Sequence, residues 1–491
     1  MFKTISPEQA GIPSSKVLEF IKVLEEYKLN THSILMARGN DIFAETYYAP
    51  FDAAFKHRMY SVSKSFTAIA VGFAEQDGLL SLDDKFMKYF PEYRNEKTDK
   101  LYEETTIRDL LTMRSCMAGK YPDWWAKADR PKAYFDLTSN KVPGTNFFYD
   151  STGSMLLSCI VEKLTEKPFM EYLKEKVLLD IGFSKDAYCL KAPGGHSHSD
   201  SGVMCTGREL LSFARFVMNL GVWNGKRYLN EDFMRAAISK QTDNDVTGQI
   251  TGYADQGYGY LIWKAPRDGF AFVGMADQFA ICDPTTDFIF VITSENMGSK
   301  DASRMLLFHE LYKTIVDNLG EPLPESKQEY EELKEYMANR KMIALTGGVE
   351  SNIEEKINGK IYKLEANPMG IDTLKVTIDG KEGTLEYTNA EGINTIKFGI
   401  GYNEFGRFPG KKRMSITASV YEDGDYACGA SAIWCENAKL HIKVRITDTY
   451  LGTLSIVLGY KDEQVSVTMT RLAQRILDGY DGYAVGQVME E

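Results

Sequence analysis

The spacing of hydrophobic residues predicts that strands and helices share the first part of the chain. Residues 14–27 carry apolar side chains at helical spacing after a serine, and residues 33–45 read as two strands joined by a tight turn. Four more strand-like runs follow closely on one another, at residues 257–264, 270–274, 279–282 and 288–292, and residues 306–316 should form a helix that packs against them. Strands at both ends with helices between them predict one antiparallel sheet, completed by the two ends of the domain.

The pattern changes after the Pro- and Gly-containing stretch at residues 320–324. A charged helix is expected over residues 326–341, and beyond it apolar and polar residues alternate in runs separated by glycines. Such alternation is typical of half-buried strands, and we expect a small barrel or a sandwich. The predicted fold class is therefore α+β, with a domain at 1–320, a linker and charged helix at 321–344, and an all-β domain at 345–491.

Composition narrows the possible partners. The chain of 491 residues has 57 Lys and Arg against 69 Asp and Glu, and its formal net charge of −12 argues against nucleic acid as a partner. No uncharged stretch of transmembrane length occurs, and the first residues lack the apolar core of a signal peptide. Seven scattered cysteines without a C-x-x-C pair indicate reduced thiols and no structural zinc. We therefore expect a cytoplasmic protein that does not bind membranes; its oligomeric state stays open.

The strongest candidate chemistry lies in the stretch Ser61-Val62-Ser63-Lys64, which starts a predicted buried helix. Residues three apart share a helix face, so Ser61 and Lys64 should point the same way. A serine hydroxyl needs an adjacent base, and a lysine can serve once its proton is lost, which apolar surroundings and a helix N-terminus favour. The same letters also fit a helix that merely begins with serines and carries a solvated lysine.

Tyr149 precedes another predicted helix and is a second candidate. A tyrosine at such a place is usually structural, but beside a serine and a lysine it could move protons between them. Trp124 and Trp125 could cover a pocket or belong to the core, and the sequence does not decide between these.

The segment Gly194-Gly195-His196-Ser197-His198-Ser199-Asp200 has the letters of a metal site. Two histidines and an aspartate can bind zinc, but no second group of ligands follows at matching spacing. We therefore predict an exposed loop here, and no metal.

Residues 1 to about 320 resemble the serine β-lactamase-like hydrolases, which include class C β-lactamases, D-alanyl-D-alanine carboxypeptidases, D-aminopeptidases and esterases. The resemblance rests on four segments in matching order, at residues 59–67, 78–84, 106–113 and 143–145. It implies a β-lactamase-like antiparallel sheet flanked by helices, with Ser61 as nucleophile, Lys64 as its partner and Tyr149 as proton carrier.

Two motifs depart from the family pattern. Tyr149-Asp150-Ser151 stands where the family has Tyr-x-Asn, so Ser151 takes the place of an amide that contacts substrate. Phe272-Val273-Gly274 stands where the family has Lys-x-Gly or His-x-Gly. The resemblance then implies that Phe272 lines the site without a charge, that Gly274 leaves room for substrate, and that the N–H of Met275 is an oxyanion donor.

The expected function is that of a serine hydrolase that forms an acyl-enzyme, without a metal or an organic cofactor. The substrate class is a small ester, amide or D-amino-acid peptide, and penicillins should be poor substrates because the cation of the third motif is missing. The alternative is a catalytically impaired binding protein on the same scaffold, which the two changed motifs would suit.

Overall fold

The computed structural model describes residues 2–119, 127, 129–244, 256–299, 301–409, 413–414, 421–422, 425–436, 438–473 and 476–489. Trp124 and Trp125 lie outside these residues. The chain divides into two compact units, Met1–Lys341 and Met342–Glu491. No helix within the described residues combines the length and the apolar character needed to cross a bilayer.

The α-helices of the first unit are α1 (Ser14–Glu26), α2 (Ser63–Gln76), α3 (Lys100–Glu104), α4 (Ile107–Leu111), α5 (Arg130–Phe135), α6 (Ser151–Thr165), α7 (Phe169–Leu173), α8 (Gly207–Met218), α9 (Glu231–Ile238), α10 (Asp301–Glu310) and α11 (Lys327–Ala338). Short 3₁₀ or π turns are Tyr60–Val62, Phe86–Tyr89, Pro91–Tyr93, Lys174–Leu178, Met297–Ser299, Leu311–Ile315 and Val316–Asn318. Several helix starts follow from local chemistry. Thr106 and Thr206, for example, each begin a helix through a capping box, with Asp109 and Glu209 respectively.

The strands of the first unit are β1 (Lys3–Thr4), β2 (Thr31–Arg38), β3 (Asp41–Tyr47), β4 (His57–Arg58), β5 (Tyr188–Cys189), β6 (Val203–Cys205), β7 (Val222–Trp223), β8 (Lys226–Arg227), β9 (Trp263–Lys264), β10 (Phe270–Gly274), β11 (Gln278–Asp283) and β12 (Phe288–Ser294). The main sheet has the order β1-β3-β2-β12-β11-β10-β9 and is antiparallel except for the β1–β3 pair. Phe290 on β12 pairs with Met36 on one side and with Ile281 on the other. The prediction of one sheet built from both ends of the domain, flanked by helices, is confirmed.

Helix α11 belongs to the first unit, although its sequence reads as a charged helix beyond a linker. Glu25 of α1 accepts hydrogen bonds from the hydroxyl of Tyr336 at 2.6 Å and from the guanidinium of Arg340 at 3.0 Å. The hydroxyl of Thr46 on β3 donates to the carbonyl of Met337. These contacts fix α11 on the N-terminal helix and hairpin, and the break between the two units comes after Lys341.

The second unit contains helix α12 (Glu354–Ile357) and the strands β13 (Ile361–Leu364), β14 (Thr373–Asp379), β15 (Glu382–Asn389), β16 (Gly392–Ile400), β17 (Glu404–Phe408), β18 (Arg413–Met414), β19 (Tyr421–Glu422), β20 (Tyr426–Cys435), β21 (Lys439–Thr447), β22 (Leu451–Lys461), β23 (Gln464–Ala473) and β24 (Gly482–Val488). The strands run in the order β16-β15-β14-β13-β24-β23-β22-β21-β20, and β16 pairs with β20 to close the ring. Closure removes the two sheet edges, so the all-β domain is a barrel and not a sandwich.

Candidate active site

The turn that carries Ser61 is set up by its own backbone. Strand β4 ends at Arg58, and Tyr60 then adopts a left-handed conformation with φ of +46°. A bulky residue with positive φ is uncommon and needs support from its surroundings; here the buried ring of Tyr60 lies under the guanidinium of Arg58, 4.7 Å from centroid to Cζ. Ser61 follows in a 3₁₀ turn that runs directly into α2.

Helix α2 holds Lys64 inside the unit. Every residue from Ser63 to Ala74 is buried, as expected for a helix that is apolar around most of its surface. Lys64 is 1% exposed, and its Nζ lies 3.0 Å from the Oγ of Ser61 and 2.7 Å from the carbonyl oxygen of Asp200. An amine that donates one N–H to that carbonyl can direct its lone pair at the serine hydroxyl, which is the geometry a base needs.

Tyr149 lies beside this pair. The Nζ of Lys64 is 5.1 Å from the centroid of the Tyr149 ring, and the other side of the ring stacks on Trp263 with centroids 5.4 Å apart. Tyr258 contacts both Tyr149 and Trp263 edge to face, and burial together with the nearby Tyr149 raises the pKa of Tyr258 well above its ordinary value. The rings of Trp263 and Tyr258 thus fix the orientation of Tyr149 next to the lysine.

Asp150, the middle residue of the second motif, has a structural task. Its carboxylate accepts hydrogen bonds from the N–H groups of Thr152 at 2.8 Å and Gly153 at 3.1 Å, and so caps α6. Burial raises the pKa of Asp150, while the two capping N–H groups and Lys141 act against this rise. Ser151 is half-buried at the first position of α6, where its carbonyl accepts the hydroxyl hydrogen of Ser154.

Gly274 brings strand β10 against the turn of Ser61. A Cβ added to Gly274 would lie 2.5 Å from the carbonyl oxygen of Met59, two residues before the serine. The space that the missing side chain leaves is therefore taken by the backbone of Met59. This close approach puts the peptide that joins Gly274 to Met275 next to the turn of Ser61, and Met275 itself is half-buried.

Phe272 is directed into the core. The side chain is fully buried, and its ring lies 5.4 Å from that of Phe213 on α8. Phe213 in turn stacks on Phe66 of α2 at 3.8 Å with the rings almost parallel. Three aromatic residues thus connect β10, α8 and the helix of Lys64.

The prediction of an exposed loop at Gly194–Asp200 is wrong for its second half. Gly194 and Gly195 are exposed, but His198 and Asp200 are each 4% exposed. Buried arginines and Lys64 surround His198, and burial together with these charges puts the pKa of His198 well below its usual range. In the described part of the chain, no group of three or more histidine, cysteine and acidic side chains is arranged to hold a metal ion.

The family model named Beta-lactamase matches residues 19–311, which is more than half of the chain. The chain belongs to the beta-lactamase family. The match covers the Ser61 turn, α2, Tyr149 and β10, and it confirms the resemblance deduced from the motifs. Members of the family are hydrolases, generally serine-based.

Curated relatives also match part of the chain. A 6-aminohexanoate-dimer hydrolase of Paenarthrobacter ureafaciens is 24% identical over 284 residues, which are 53% of this chain and 71% of the relative. A penicillin-binding protein of Bacillus subtilis is 26% identical over 33% of this chain and 38% of its own length. Among solved structures, the hydrolase EstCE1 aligns with a TM-score of 0.51 at 14% identity, over 62% of this chain and 99% of that one. The last match shows the fold alone.

Sequence reasoning missed the buried polar residues behind Lys64. Arg58 lies three residues before Ser61 in this beta-lactamase family member, yet a single arginine in a strand carries no signal of its own. For Asp200, the sequence suggests only a possible role as a metal ligand. The available signal was the dense row of polar residues after two glycines, which is equally typical of a solvated loop.

Proposed function

We propose that this protein is a serine hydrolase that works through a covalent acyl-enzyme, with Ser61 as nucleophile and Lys64 as base. The observation that supports it best is the distance of 3.0 Å between Lys64 Nζ and Ser61 Oγ at a site where the lysine is buried. Base and nucleophile within hydrogen-bond reach are the minimum for activating a serine.

In the first half-reaction, Ser61 Oγ attacks the carbonyl carbon of the substrate, and the hydroxyl proton passes to the amine of Lys64. The carbonyl oxygen becomes an oxyanion, for which the N–H groups of Ser61 and Met275 are the proposed donors. The proton then moves from Lys64, by way of the Tyr149 hydroxyl, to the leaving alcohol or amine as the bond to it breaks. The product of this step is an ester between the acyl part and Ser61.

In the second half-reaction, a water molecule attacks that ester. The same groups accept its proton and return it to Ser61 Oγ, which leaves the acid product and the resting enzyme. Removing one member of such a proton-transfer unit typically costs a thousandfold or more in rate.

The proposed substrates are small esters, amides or D-amino-acid peptides with an apolar acyl part. A relative that covers half of this chain carries the name of a 6-aminohexanoate-dimer hydrolase, which fits a small substrate. Penicillins should be poor substrates, because Phe272 stands where family members hold a cation and a buried carboxylate without a partner is costly. Arg267, three residues before the start of β10, could supply a cation in its place, but it is paired with Asp317.

The second candidate is a binding protein without turnover, which the changed residues Ser151 and Phe272 favour. A fluorophosphonate probe with mass spectrometry separates the two, since only the hydrolase should be labelled at Ser61. Hydrolysis of p-nitrophenyl butyrate should be lost in Ser61→Ala while the circular dichroism spectrum stays that of the wild type. Full activity in a folded Ser61→Ala protein would refute the mechanism; no labelling and no hydrolysis of esters, D-aminoacyl anilides or nitrocefin would favour the binding protein.

A further inference from the structure

Arg58 contacts both segments that meet at Lys64. Its guanidinium covers the ring of Tyr60, the residue before the nucleophile. Its Nε donates to the carbonyl of Ser201 at 2.9 Å, and its Nη2 donates to the hydroxyl of Ser201 at 3.2 Å and faces Nδ1 of His198 at 3.4 Å. One buried side chain thereby joins the turn of Ser61 to the turn over residues 198–201.

The turn at residues 198–201 is the one whose carbonyl receives Lys64. The N–H of Ser201 donates to the carbonyl of His198, which closes the turn, and Asp200 presents its own carbonyl to Nζ of Lys64 at 2.7 Å. The turn is also fixed to α2 by a hydrogen bond from the hydroxyl of Thr67 to the carbonyl of Ser199. The position of Lys64 relative to Ser61 therefore depends on where this turn lies.

The same region contains an unusual density of buried charge. Arg58 is 2% exposed and Arg130 of α5 is 1% exposed, and the guanidinium of Arg130 interacts electrostatically with both Arg58 and Asp200. His198 lies between the charges, with Nδ1 toward Arg58 and Nε2 3.4 Å from Oδ1 of Asp200. His198 therefore lies between a buried cation and a buried carboxylate, close to both.

We propose that Arg58 is a positioning residue for Lys64, which acts through the turn over residues 198–201 that it holds by its hydrogen bonds to Ser201. It fixes the carbonyl that orients the lysine, and its charge, together with that of Arg130, opposes a further buried cation at Lys64, while Asp200 offsets part of this effect. The inference rests on the proposed function, because it assigns a cause to the placement of Lys64 beside Ser61. The charged and titratable groups around Lys64 are Arg58, Arg130, His198, Asp200 and Tyr149.

The test uses two substitutions with opposite changes in charge, of which Asp200→Asn also keeps the shape of the side chain. Arg58→Gln removes a positive charge, which favours protonated Lys64, so the acid limb of the pH profile of kcat/KM should move to higher pH. Asp200→Asn removes a negative charge and leaves the backbone carbonyl in place, so the limb should move to lower pH. Each displacement should be about one pH unit, as is typical of a nearby buried charge. If the two substitutions only loosened the packing, kcat/KM would fall in both variants, and the acid limbs of their pH profiles would not move in opposite directions.

Two further variants separate charge from geometry. Arg58→Lys keeps the charge but loses the planar fork, so its limb should stay at the wild-type pH while kcat/KM falls. Arg215→Gln is the matched control, because Arg215 is also 1% exposed but pairs with Asp287 next to β12. Its profile should coincide with that of the wild type.

A direct readout is independent of turnover. The protein is labelled with ¹³C at lysine Cε, the signal of Lys64 is assigned by its loss in Lys64→Met, and its titration is followed in the wild type, Arg58→Gln and Asp200→Asn. Opposite displacements of the midpoint support the proposal. Midpoints that stay together or move in the same direction overturn it, even if Ser61 is a confirmed nucleophile. If no substrate is turned over, the proposed function fails by itself, and the titration still decides the role of Arg58.

Discussion

The close approach of Gly274 to Met59 leads to a prediction for Gly274→Ala. The new Cβ would lie 2.5 Å from the carbonyl oxygen of Met59 and 3.1 Å from the Cβ of Gln278. Atoms in ordinary contact are about 3.5 Å or more apart, so the two backbones must separate by roughly 1 Å. The nearest atom, the carbonyl oxygen of Met59, belongs to the backbone and cannot rotate away as the end of a long side chain could.

Two losses of different kind should follow from this movement. Overpacking at a buried position typically lowers the free energy of unfolding by about 1–3 kcal/mol. The catalytic loss should be larger, since Met59 is two residues before Ser61 and a displacement of about 1 Å at a reacting centre can cost on the order of a hundredfold. We therefore expect kcat/KM for p-nitrophenyl butyrate to fall by one to two powers of ten.

The assay combines ester hydrolysis with urea unfolding followed by tryptophan fluorescence, which mainly reports the first unit because four of the five tryptophans precede residue 342. Gly320→Ala is the matched control: an added Cβ meets nothing within 4 Å there. It should leave activity unchanged and unfolding within about 0.5 kcal/mol of the wild type. If Gly274→Ala were as active and as stable as this control, the argument that Gly274 is needed for the approach of β10 to the nucleophile turn would be wrong.

Two other substitutions have effects that follow from burial. Burial lowers the pKa of His57, which lies against the rings of His32, Phe51 and Phe55, to about 3. The unfolded chain binds this proton below about pH 6.5, so the wild type should lose up to ~1.4 kcal/mol of stability per pH unit between about 6.5 and 3. His57→Phe should flatten that slope in urea unfolding at several pH values, and an unchanged slope would contradict the assignment. Phe272→Lys should destabilise the first unit by about 4 kcal/mol at pH 7, because the core must hold either a charge or a deprotonated amine; a stable variant with new nitrocefin turnover would instead mean that residue 272 can reach the substrate.

Much of the fold could be predicted because it follows from local patterns in the sequence. The sheet could be predicted because its strands are short apolar runs at both ends of the domain, and the barrel because its strands alternate apolar and polar residues. The serine and the lysine could be paired because three residues make nearly one helical turn. These are relations between neighbours in sequence, which periodicity records directly.

The remaining features depend on contacts between distant segments. Gly194 to Asp200 has the composition of a surface loop, but distant residues supply partners for its buried second half, among them Lys64, Thr67 and Arg58, which lies 140 residues from His198 in sequence. Helix α11 reads as solvated on most of its surface, yet Glu25 holds it to α1. The sequence predicts space for substrate at Gly274, whereas the carbonyl of Met59 occupies the place of the missing side chain. No local pattern encodes the position of that carbonyl.

The changed third motif argues less against catalysis than its sequence suggests. In place of a cation, the buried ring of Phe272 contacts Phe213, which stacks on Phe66 two residues after Lys64. Each such pair adds roughly 0.5–1.5 kcal/mol beyond the burial of its area, so the substitution strengthens the connection between β10 and the nucleophile helix. Gly274 would be needed for packing in a binding protein as well. Catalysis is supported instead by the distance of 3.0 Å between Lys64 Nζ and Ser61 Oγ, which the changed motif leaves in place. We therefore expect the departure to have altered which substrates bind, while Ser61, Lys64 and the backbone of β10 keep the geometry of an acyl-transfer site.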